Sequence, residues 1–208
     1  MKAAFILKNK FSMLQLKNIT REHLHQIAVN FAESFLAMKG SLSSCMGHDE
    51  AVIYFEEVLY EYQRIGALYA LSENEEGYIV YHLKKNGVRW YRDLYLFLRY
   101  LAKMNPETLQ RMILIRRGWT DYSIAHADTK NYVDVALVSV KKEYQGKGYL
   151  RKLMAEPFAL AEKLKIPVIL DTDSEYKAIR YEHIGMRVEK DALLESGLHF
   201  YTMIYVPE

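Results

Sequence analysis

Apolar and polar residues alternate along this chain with two different periods, one typical of helices and the other typical of strands. A spacing of three to four residues predicts helices over residues 21–38, 49–65, 90–104, 106–117, 149–164 and 175–184. Shorter runs rich in β-branched and aromatic residues predict strands over residues 14–20, 67–72, 78–83, 132–140, 168–171, near 187 and 198–206. Thr20 is a typical N-cap residue, and Pro106 suits the first turn of a helix.

The order of these segments predicts how the chain is organised. The strands 67–72 and 78–83 bracket a short polar turn and predict a β-hairpin. Two predicted helices follow, and the polar residues 119–131 after them are predicted to form a loop. No repeat, low-complexity tract or linker marks a boundary, so we predict a single domain over 1–208. We expect residues 1–12 to be either a loose N-terminal extension or residues that come from a start codon upstream of the true one.

Composition and charge exclude several classes of protein. Half of the residues are hydrophobic, and 28 basic residues oppose 26 acidic ones, for a net charge of +2. Such a balance predicts a globular protein with no global attraction to nucleic acid or to an anionic membrane. Cys45 is the single cysteine, and the first residues lack a secretory apolar core, so we expect a cytoplasmic protein without disulfides.

One stretch combines several features of an anion site. The strand that ends at Val140 enters a turn with Gly146 and Gly148, and a predicted helix begins directly after it. Glycines allow the backbone to turn sharply, so that amide groups and the positive end of the helix converge on a phosphate. Lys147 and Arg151 add charge beside them. The same glycines also fit a tight turn without a ligand, and neither a P-loop nor a Rossmann pattern is present.

A longer pattern resolves part of this ambiguity. Gln145-Gly-Lys-Gly148 follows the strand, and after a helix and a strand the chain continues with Tyr181-Glu-His-Ile-Gly-Met186. Over the last third of the chain this pattern resembles the GNAT superfamily of N-acetyltransferases. The resemblance implies an α/β (α+β) fold with a mixed, mostly antiparallel sheet flanked by helices. It places a helical insertion, residues 88–131, before the donor-binding strand.

The resemblance also implies acetyl-coenzyme A as the co-substrate. Backbone amides of the glycine loop would hold its pyrophosphate, and a β-bulge near Leu137 or Val138 would expose backbone groups to the pantetheine arm. The coenzyme-binding residues implied in this way are Val138, Ser139, Val140, Gln145, Gly146, Lys147, Gly148, Tyr149, Leu150, Arg151 and Lys177. Leu150 replaces a small residue of the superfamily pattern, Met186 replaces phenylalanine, and Lys177 stands where asparagine is common.

Two residues are candidates for the chemistry of acetyl transfer. Tyr181 would donate a hydrogen bond to the thiolate that leaves, although a tyrosine here also fits simple packing. Asp134 is the best candidate for the base that deprotonates the amine, and its alternative role is that of a solvated residue at the start of a strand. Asp121, His126 and Asp128, in the predicted loop before this strand, are the other acidic or basic groups that would serve instead of Asp134.

Other kinds of chemistry find less support. The histidines lack the spacing of a metal site, and neither Ser139 nor Cys45 lies in a nucleophile motif. We therefore expect no metal and a direct transfer, in a ternary complex, to a small-molecule or peptide amine. The protein is expected to be a monomer or a homodimer, without a nucleic-acid or membrane partner.

Two alternatives to an enzyme stay open. One is a coenzyme A-binding regulatory module that has lost catalysis. The other is a nucleic-acid adaptor built on residues 90–117, where aromatic and basic residues are interleaved. Because those basic residues are dispersed around helices whose apolar residues resemble core positions, a solvated outer face is the simpler interpretation. The segment then serves better as a lid over the acceptor site.

Overall fold

Within the described residues, seven strands form one sheet in the order β1-β2-β3-β4-β5-β7-β6. The structure is a computed structural model that describes residues 13–38, 40–124, 131–194 and 197–208. The strands are β1 (Leu14–Gln15), β2 (Leu68–Ala70), β3 (Gly77–Leu83), β4 (Val133–Val140), β5 (Val168–Thr172), β6 (Arg187–Leu193) and β7 (His199–Tyr205). The helices are α1 (Arg21–Leu36), α2 (Ser41–Cys45), α3 (His48–Arg64), α4 (Trp90–Lys103), α5 (Pro106–Ile124), α6 (Tyr149–Leu164) and α7 (Glu175–Glu182).

Strands β4 and β5 form the one parallel pair of the described sheet, and the other neighbours are antiparallel. The parallel register contains only Val133 opposite Val168 and Asp134 opposite Ile169. Beyond these pairs the two strands no longer bond to each other, so the sheet opens between them. The predicted mixed, mostly antiparallel sheet flanked by helices is therefore confirmed.

A bulge lies in β4 close to this opening. Val80 of β3 pairs with Leu137, whereas the next residue, Tyr81, pairs with Val135. Ala136 is thus the extra residue, directly before the predicted position at Leu137 or Val138. A bulge leaves backbone groups out of the ladder and changes which side chains face each side of the sheet.

Each face of the sheet carries its own layer of helices. Helices α1 and α3 cover one face, where Phe31 and Phe55 are fully buried against residues of β2 and β3. Helices α6 and α7 cover the other face, where Leu153 and Met154 pack on residues of β3, β4, β5 and β7. Thr20 caps α1 as predicted, because its hydroxyl accepts a hydrogen bond from the His23 amide at 3.1 Å.

Helix α4 is oriented differently from the sequence expectation. Its basic residues face α3, where Arg92 donates to Glu61 at 2.7 Å, and Arg99 and Lys103 contact Glu57 at 2.7 and 2.6 Å. Several of its apolar residues form a partly exposed outer face: Tyr91, Leu94, Tyr95, Leu98 and Leu101. The predicted solvated basic face is therefore wrong for α4, because the two buried carboxylates of α3 attract its cations. In α5, Arg111 and Arg116 are exposed, as predicted.

The boundaries of most elements follow the predicted ones. Helix α6 has the predicted bounds, and the hairpin of β2 and β3 is present. Strand β1 is shorter than predicted, and α2 was not predicted. Helix α5 continues to Ile124, so the loop predicted to start at residue 119 is wrong at its beginning. The two alternatives predicted for residues 1–12 are not tested, because this segment lies outside the described residues.

Candidate functional site

The opening between β4 and β5 leads into a cavity of about 1150 Å³. Residues at both ends of the opening line it. At one end are Gln145 and Leu150, on either side of the glycine turn, and Tyr181 of α7. At the other end are residues of α1, α3, α4 and α5. A single continuous space therefore connects the glycine turn with the helices that follow the hairpin.

The glycine turn has a backbone conformation that other residues rarely adopt. Gly146 has φ +74° and Gly148 has φ +79°, both in the left-handed region. A Cβ atom added at either position would meet nothing within 4 Å. The backbone thus needs glycine for its dihedral angles, and the space beside it is open to a ligand.

Helix α6 begins at this turn and directs its N-terminus toward the open space. Its first backbone bond runs from the Lys152 amide to the Gly148 carbonyl, at 3.4 Å. The amides of residues 149–151 precede that bond, so the helix itself does not use them. Gln145 closes the turn, since its side-chain amide donates to the Val140 carbonyl at 3.0 Å. The arrangement is suited to an anion.

The cations near the turn differ in how they are used. Lys147 is exposed. Arg151 donates to the carbonyl of His183 at 2.8 Å, which joins the start of α6 to the end of α7. Lys177 lines the cavity and forms an ion pair with Asp173 at 3.0 Å. Lys147 is therefore the cation with most freedom to move toward an anion at the turn.

The predicted strand residues divide between the two faces of the sheet. Val138 and Val140 line the cavity. Ser139 is buried between them on the opposite face, where its hydroxyl donates to Asn30 of α1 at 2.9 Å. Leu150 lines the cavity and packs against the core below α6. Tyr149 makes an edge-on contact with Tyr144, at a centroid distance of 5.1 Å.

Tyr181 lies on the wall of the cavity, half-buried in the core beneath α7. Burial raises the pKa of its phenol well above the usual range, and no other group contributes to that shift. The hydroxyl therefore stays protonated at neutral pH. A protonated hydroxyl is a hydrogen-bond donor and not a base.

Asp134 lies in the last pair before β4 and β5 separate. Its carboxylate is 27% exposed and lies 3.9 Å from the ammonium of Lys84, while His82 is its cross-strand neighbour on β3. Burial raises the pKa of Asp134, and the charges of His82 and Lys84 oppose that rise. Of the other acidic and basic candidates, Asp121 lies in α5, and His126 and Asp128 lie outside the described residues.

A second carboxylate, Asp171, was missed by the sequence reasoning. It lies on β5 two residues after the partner of Asp134, lines the cavity and accepts a hydrogen bond from the hydroxyl of Thr202. The pKa of Asp171 is raised to about 6, mainly by burial and to a smaller extent by the negative charge of Asp134. The sequence does show Asp171 as an acidic residue at the end of an apolar strand. It does not show that Asp134 lies on the neighbouring strand, because that depends on long-range pairing.

Two other groups of the cavity wall have unusual surroundings. The thiol of Cys45 is buried, and burial raises its pKa to about 11. The hydroxyl of Thr172, at the end of β5, is buried without a hydrogen-bond partner in the described structure. Such a hydroxyl is costly unless a ligand or water satisfies it.

Searches for two other kinds of site gave negative results over the part of the chain that is described. No group of three or more histidine, cysteine, aspartate or glutamate side chains is placed to hold a metal ion. No described helix is both long and apolar enough to cross a bilayer.

The chain is similar in structure to several acetyltransferases. For arylalkylamine N-acetyltransferase 2 from Aedes aegypti the TM-score is 0.61 at 13% identity, and the match covers 96% of this chain and 100% of that chain. For the polyamine N-acetyltransferase of Drosophila melanogaster the TM-score is 0.58 at 10% identity, and the match covers 95% of this chain and 100% of that chain. For the NatC complex bound to Gag peptide and CoA the TM-score is 0.50 at 12% identity, and the match covers 96% of this chain and 98% of that chain.

Comparisons of the sequence alone found no match. No protein-family model and no curated protein sequence matches this chain. The resemblance to solved structures therefore concerns the fold.

Proposed function

Since the chain has the fold of the GNAT N-acetyltransferases, we propose that it transfers an acetyl group from acetyl-coenzyme A to an amine. The observation that carries this proposal is the continuous cavity. It joins an anion-binding turn to a second, mostly apolar space through the gap between β4 and β5. A donor and an acceptor can thus meet at the gap, where Asp134 and Tyr181 line the wall.

The donor would bind with its pyrophosphate against the amides of residues 146–151. Open space beside the two left-handed glycines and the free amides at the start of α6 support this placement. Lys147 would add charge. One of the similar structures contains CoA. The bulge at Ala136 and the separation of β4 from β5 leave backbone groups for the pantetheine arm.

The acetyl group would move in one displacement. Asp134 would first take a proton from the ammonium, directly or through water. The neutral amine then attacks the thioester carbon, the nitrogen–carbon bond forms, and the carbon–sulfur bond breaks. The second proton of the nitrogen passes to the departing thiolate of coenzyme A, which accepts a hydrogen bond from Tyr181. An alkylammonium of pKa about 10 is only about one part in a thousand free base at pH 7, so the base has a clear role.

A covalent acetyl-enzyme is disfavoured by the side chains near the cavity. The raised pKa of Cys45 keeps its thiol protonated at neutral pH, and a thiol is a far weaker nucleophile than a thiolate. The hydroxyl of Ser139 is bonded to Asn30 on the opposite face of the sheet. Direct transfer in a ternary complex is therefore part of the proposal.

The nucleic-acid alternative loses its main support in the structure. The basic residues of α4 form ion pairs with the carboxylates of α3, and Arg116 lies 3.4 Å from Asp93. Phosphate groups would have to compete with these carboxylates.

The proposal is tested by binding and turnover together. Thermal shifts with acetyl-, propionyl- and succinyl-coenzyme A measure donor binding, and release of free thiol in the presence of a panel of amines measures transfer. We expect stabilisation by acetyl-coenzyme A and amine-dependent thiol release. Stabilisation without release on any amine would favour the inactive coenzyme-binding module, and no stabilisation by any donor would refute the proposal.

A further inference from the structure

The acceptor end of the cavity has a composition that restricts which amines fit. We call the space between α1, α3, α4 and α5 the apolar chamber, which is lined by Phe35, Tyr54, Leu96, Tyr100, Leu109 and Met112. We propose that the acceptor is a primary amine with a bulky apolar group, which fills this chamber while the ammonium binds at Asp134 and Asp171. This inference rests on the proposed acetyl transfer and names its substrate class.

Three of the chamber residues are closely packed and define its floor. Tyr100 and Leu109 are buried and belong to a small core that joins α4 and α5 to α3. The ring of Tyr54 stacks on that of Tyr100 at a centroid distance of 5.7 Å. Rigid aromatic walls are suited to an apolar group and offer few partners to a polar one.

The carboxylates around the cavity differ in how their charges are compensated. Glu61, Asp93 and Asp173 form ion pairs with Arg92, Arg116 and Lys177 respectively. These three carboxylates therefore have cations of their own, and an incoming ammonium would have to displace an existing partner.

Asp134 and Asp171 are arranged differently. Asp134 lies 3.9 Å from Lys84, and Asp171 accepts from the neutral hydroxyl of Thr202. The charge of Asp134 raises the pKa of Asp171, whereas Lys84 lowers the pKa of both carboxyl groups, His82 that of Asp134 and Lys190 that of Asp171. An ammonium group between them would relieve this repulsion.

The position of this pair sets the direction of the acceptor. Asp134 lies where β4 and β5 begin to separate, between the apolar chamber and the donor end of the cavity. An amine held there has its nitrogen toward the donor and its substituent in the chamber. A second cationic centre on the substituent would lie among apolar walls or would have to displace the arginines paired with Glu61 and Asp93, which disfavours diamines as acceptors.

A homologous series of amines tests the inference. With acetyl-coenzyme A fixed, kcat/KM is measured for n-alkylamines from ethylamine to heptylamine, for 2-phenylethylamine, and for ethanolamine and 1,4-diaminobutane. Each methylene buried in the chamber is expected to raise kcat/KM about fourfold until the chamber is full. A series without this rise, or a preference for ethanolamine or the diamine, would overturn the inference while leaving acetyl transfer intact.

Two variants of α5 locate the effect. Met112 faces the chamber, whereas Leu114 is 56% exposed on the outer face of the same helix. Met112→Trp should lower the ratio of kcat/KM for heptylamine to that for ethylamine at least tenfold, and Leu114→Trp should leave that ratio unchanged. Equal ratios in the two variants would contradict a binding site in the chamber.

Binding of the amine alone separates this inference from the proposed function. A thermal shift with 2-phenylethylamine, without donor, should be present in the wild-type protein and in Leu114→Trp, and be reduced in Met112→Trp and Asp171→Asn. Absence of that shift counts against the chamber, whatever the donor does. Absence of a shift with acetyl-coenzyme A instead counts against acetyl transfer.

Discussion

At the scale of single residues, the candidate site depends on a few side chains and dihedral angles whose roles can be separated. In the proposed mechanism the glycine turn would act through its backbone, Tyr181 through its hydroxyl and Asp134 through its charge. Each of these properties is removed by a different substitution. The three substitutions therefore predict three different kinds of loss.

Gly148→Val tests the turn. At φ +79° a β-branched residue is strained by about 1–2 kcal/mol, and its side chain would fill the open space where the pyrophosphate is proposed to bind. We expect a lower melting temperature, by a few degrees, and complete loss of the thermal shift with acetyl-coenzyme A. Gly47→Val is a matched control, because Gly47 also has open space but φ −80°. Normal coenzyme binding by Gly148→Val would move the site elsewhere.

Tyr181→Phe removes a hydroxyl and keeps the ring. Because the phenol stays protonated, its proposed role is to donate a hydrogen bond to the leaving thiolate. We expect kcat to fall by about 10- to 1,000-fold while the affinity for acetyl-coenzyme A, measured by calorimetry, is retained. Tyr60→Phe, on α3 outside the cavity lining, serves as a control. An unchanged kcat would show that this tyrosine only packs.

Asp134→Asn tests the base through pH. Burial raises the pKa of Asp134, so its carboxyl group loses its proton at a higher pH than a free aspartate does, and activity should rise as the pH increases through that value. In Asp134→Asn that limb should be lost. Turnover should be low near neutral pH and recover at alkaline pH, where the amine deprotonates unaided. Equal pH profiles of kcat/KM for wild type and variant would exclude this role.

At the scale of elements, the sequence predicted where helices lie along the chain better than it predicted which side of a helix is buried. Helix α6 has the predicted bounds, since its start at a glycine turn and its apolar face are both local signals. Helix α4 was predicted as a helix, but the side that it turns inward was not. That side depends on Glu57 and Glu61, which occupy α3 and are polar residues like any other when only the sequence is read.

Glu57→Gln tests the contact between α3 and α4. The carboxylate is buried and contacts both Arg99 and Lys103, so its loss leaves two cations without their partner. We expect the free energy of unfolding to fall by about 2 kcal/mol, since both cations are partly exposed. Glu107→Gln should cost less than about 0.5 kcal/mol, because its ion pair with Arg111 is long and exposed. Urea unfolding of both variants measures the difference.

At the scale of the whole molecule, the site depends on two departures from regular pairing in β4, the bulge at Ala136 and the separation from β5. The mixed, mostly antiparallel sheet and the glycine turn were predictable from motifs in the last third of the chain. The pairing of Asp134 with Ile169, which places Asp171 two residues further along the neighbouring strand, was not predictable, because it joins strands that are distant in the sequence. Thr172 was missed for the same reason, since an unpaired buried hydroxyl is visible only in the folded chain.

The continuous cavity leads to a prediction about kinetics. In the proposed arrangement both substrates would reach the gap between β4 and β5 from opposite ends of the cavity, so they can be bound at the same time. Initial rates measured against both substrates should give intersecting double-reciprocal lines, and coenzyme A should compete with acetyl-coenzyme A.

Parallel lines, together with an acetylated protein in intact-mass spectra after incubation with the donor alone, would indicate a covalent intermediate. Cys45 would then be the first residue to test, and Cys45→Ala should abolish that intermediate. If instead the lines intersect and Cys45→Ala retains full activity, the amine attacks the thioester directly, as expected from a thiol whose pKa is about 11.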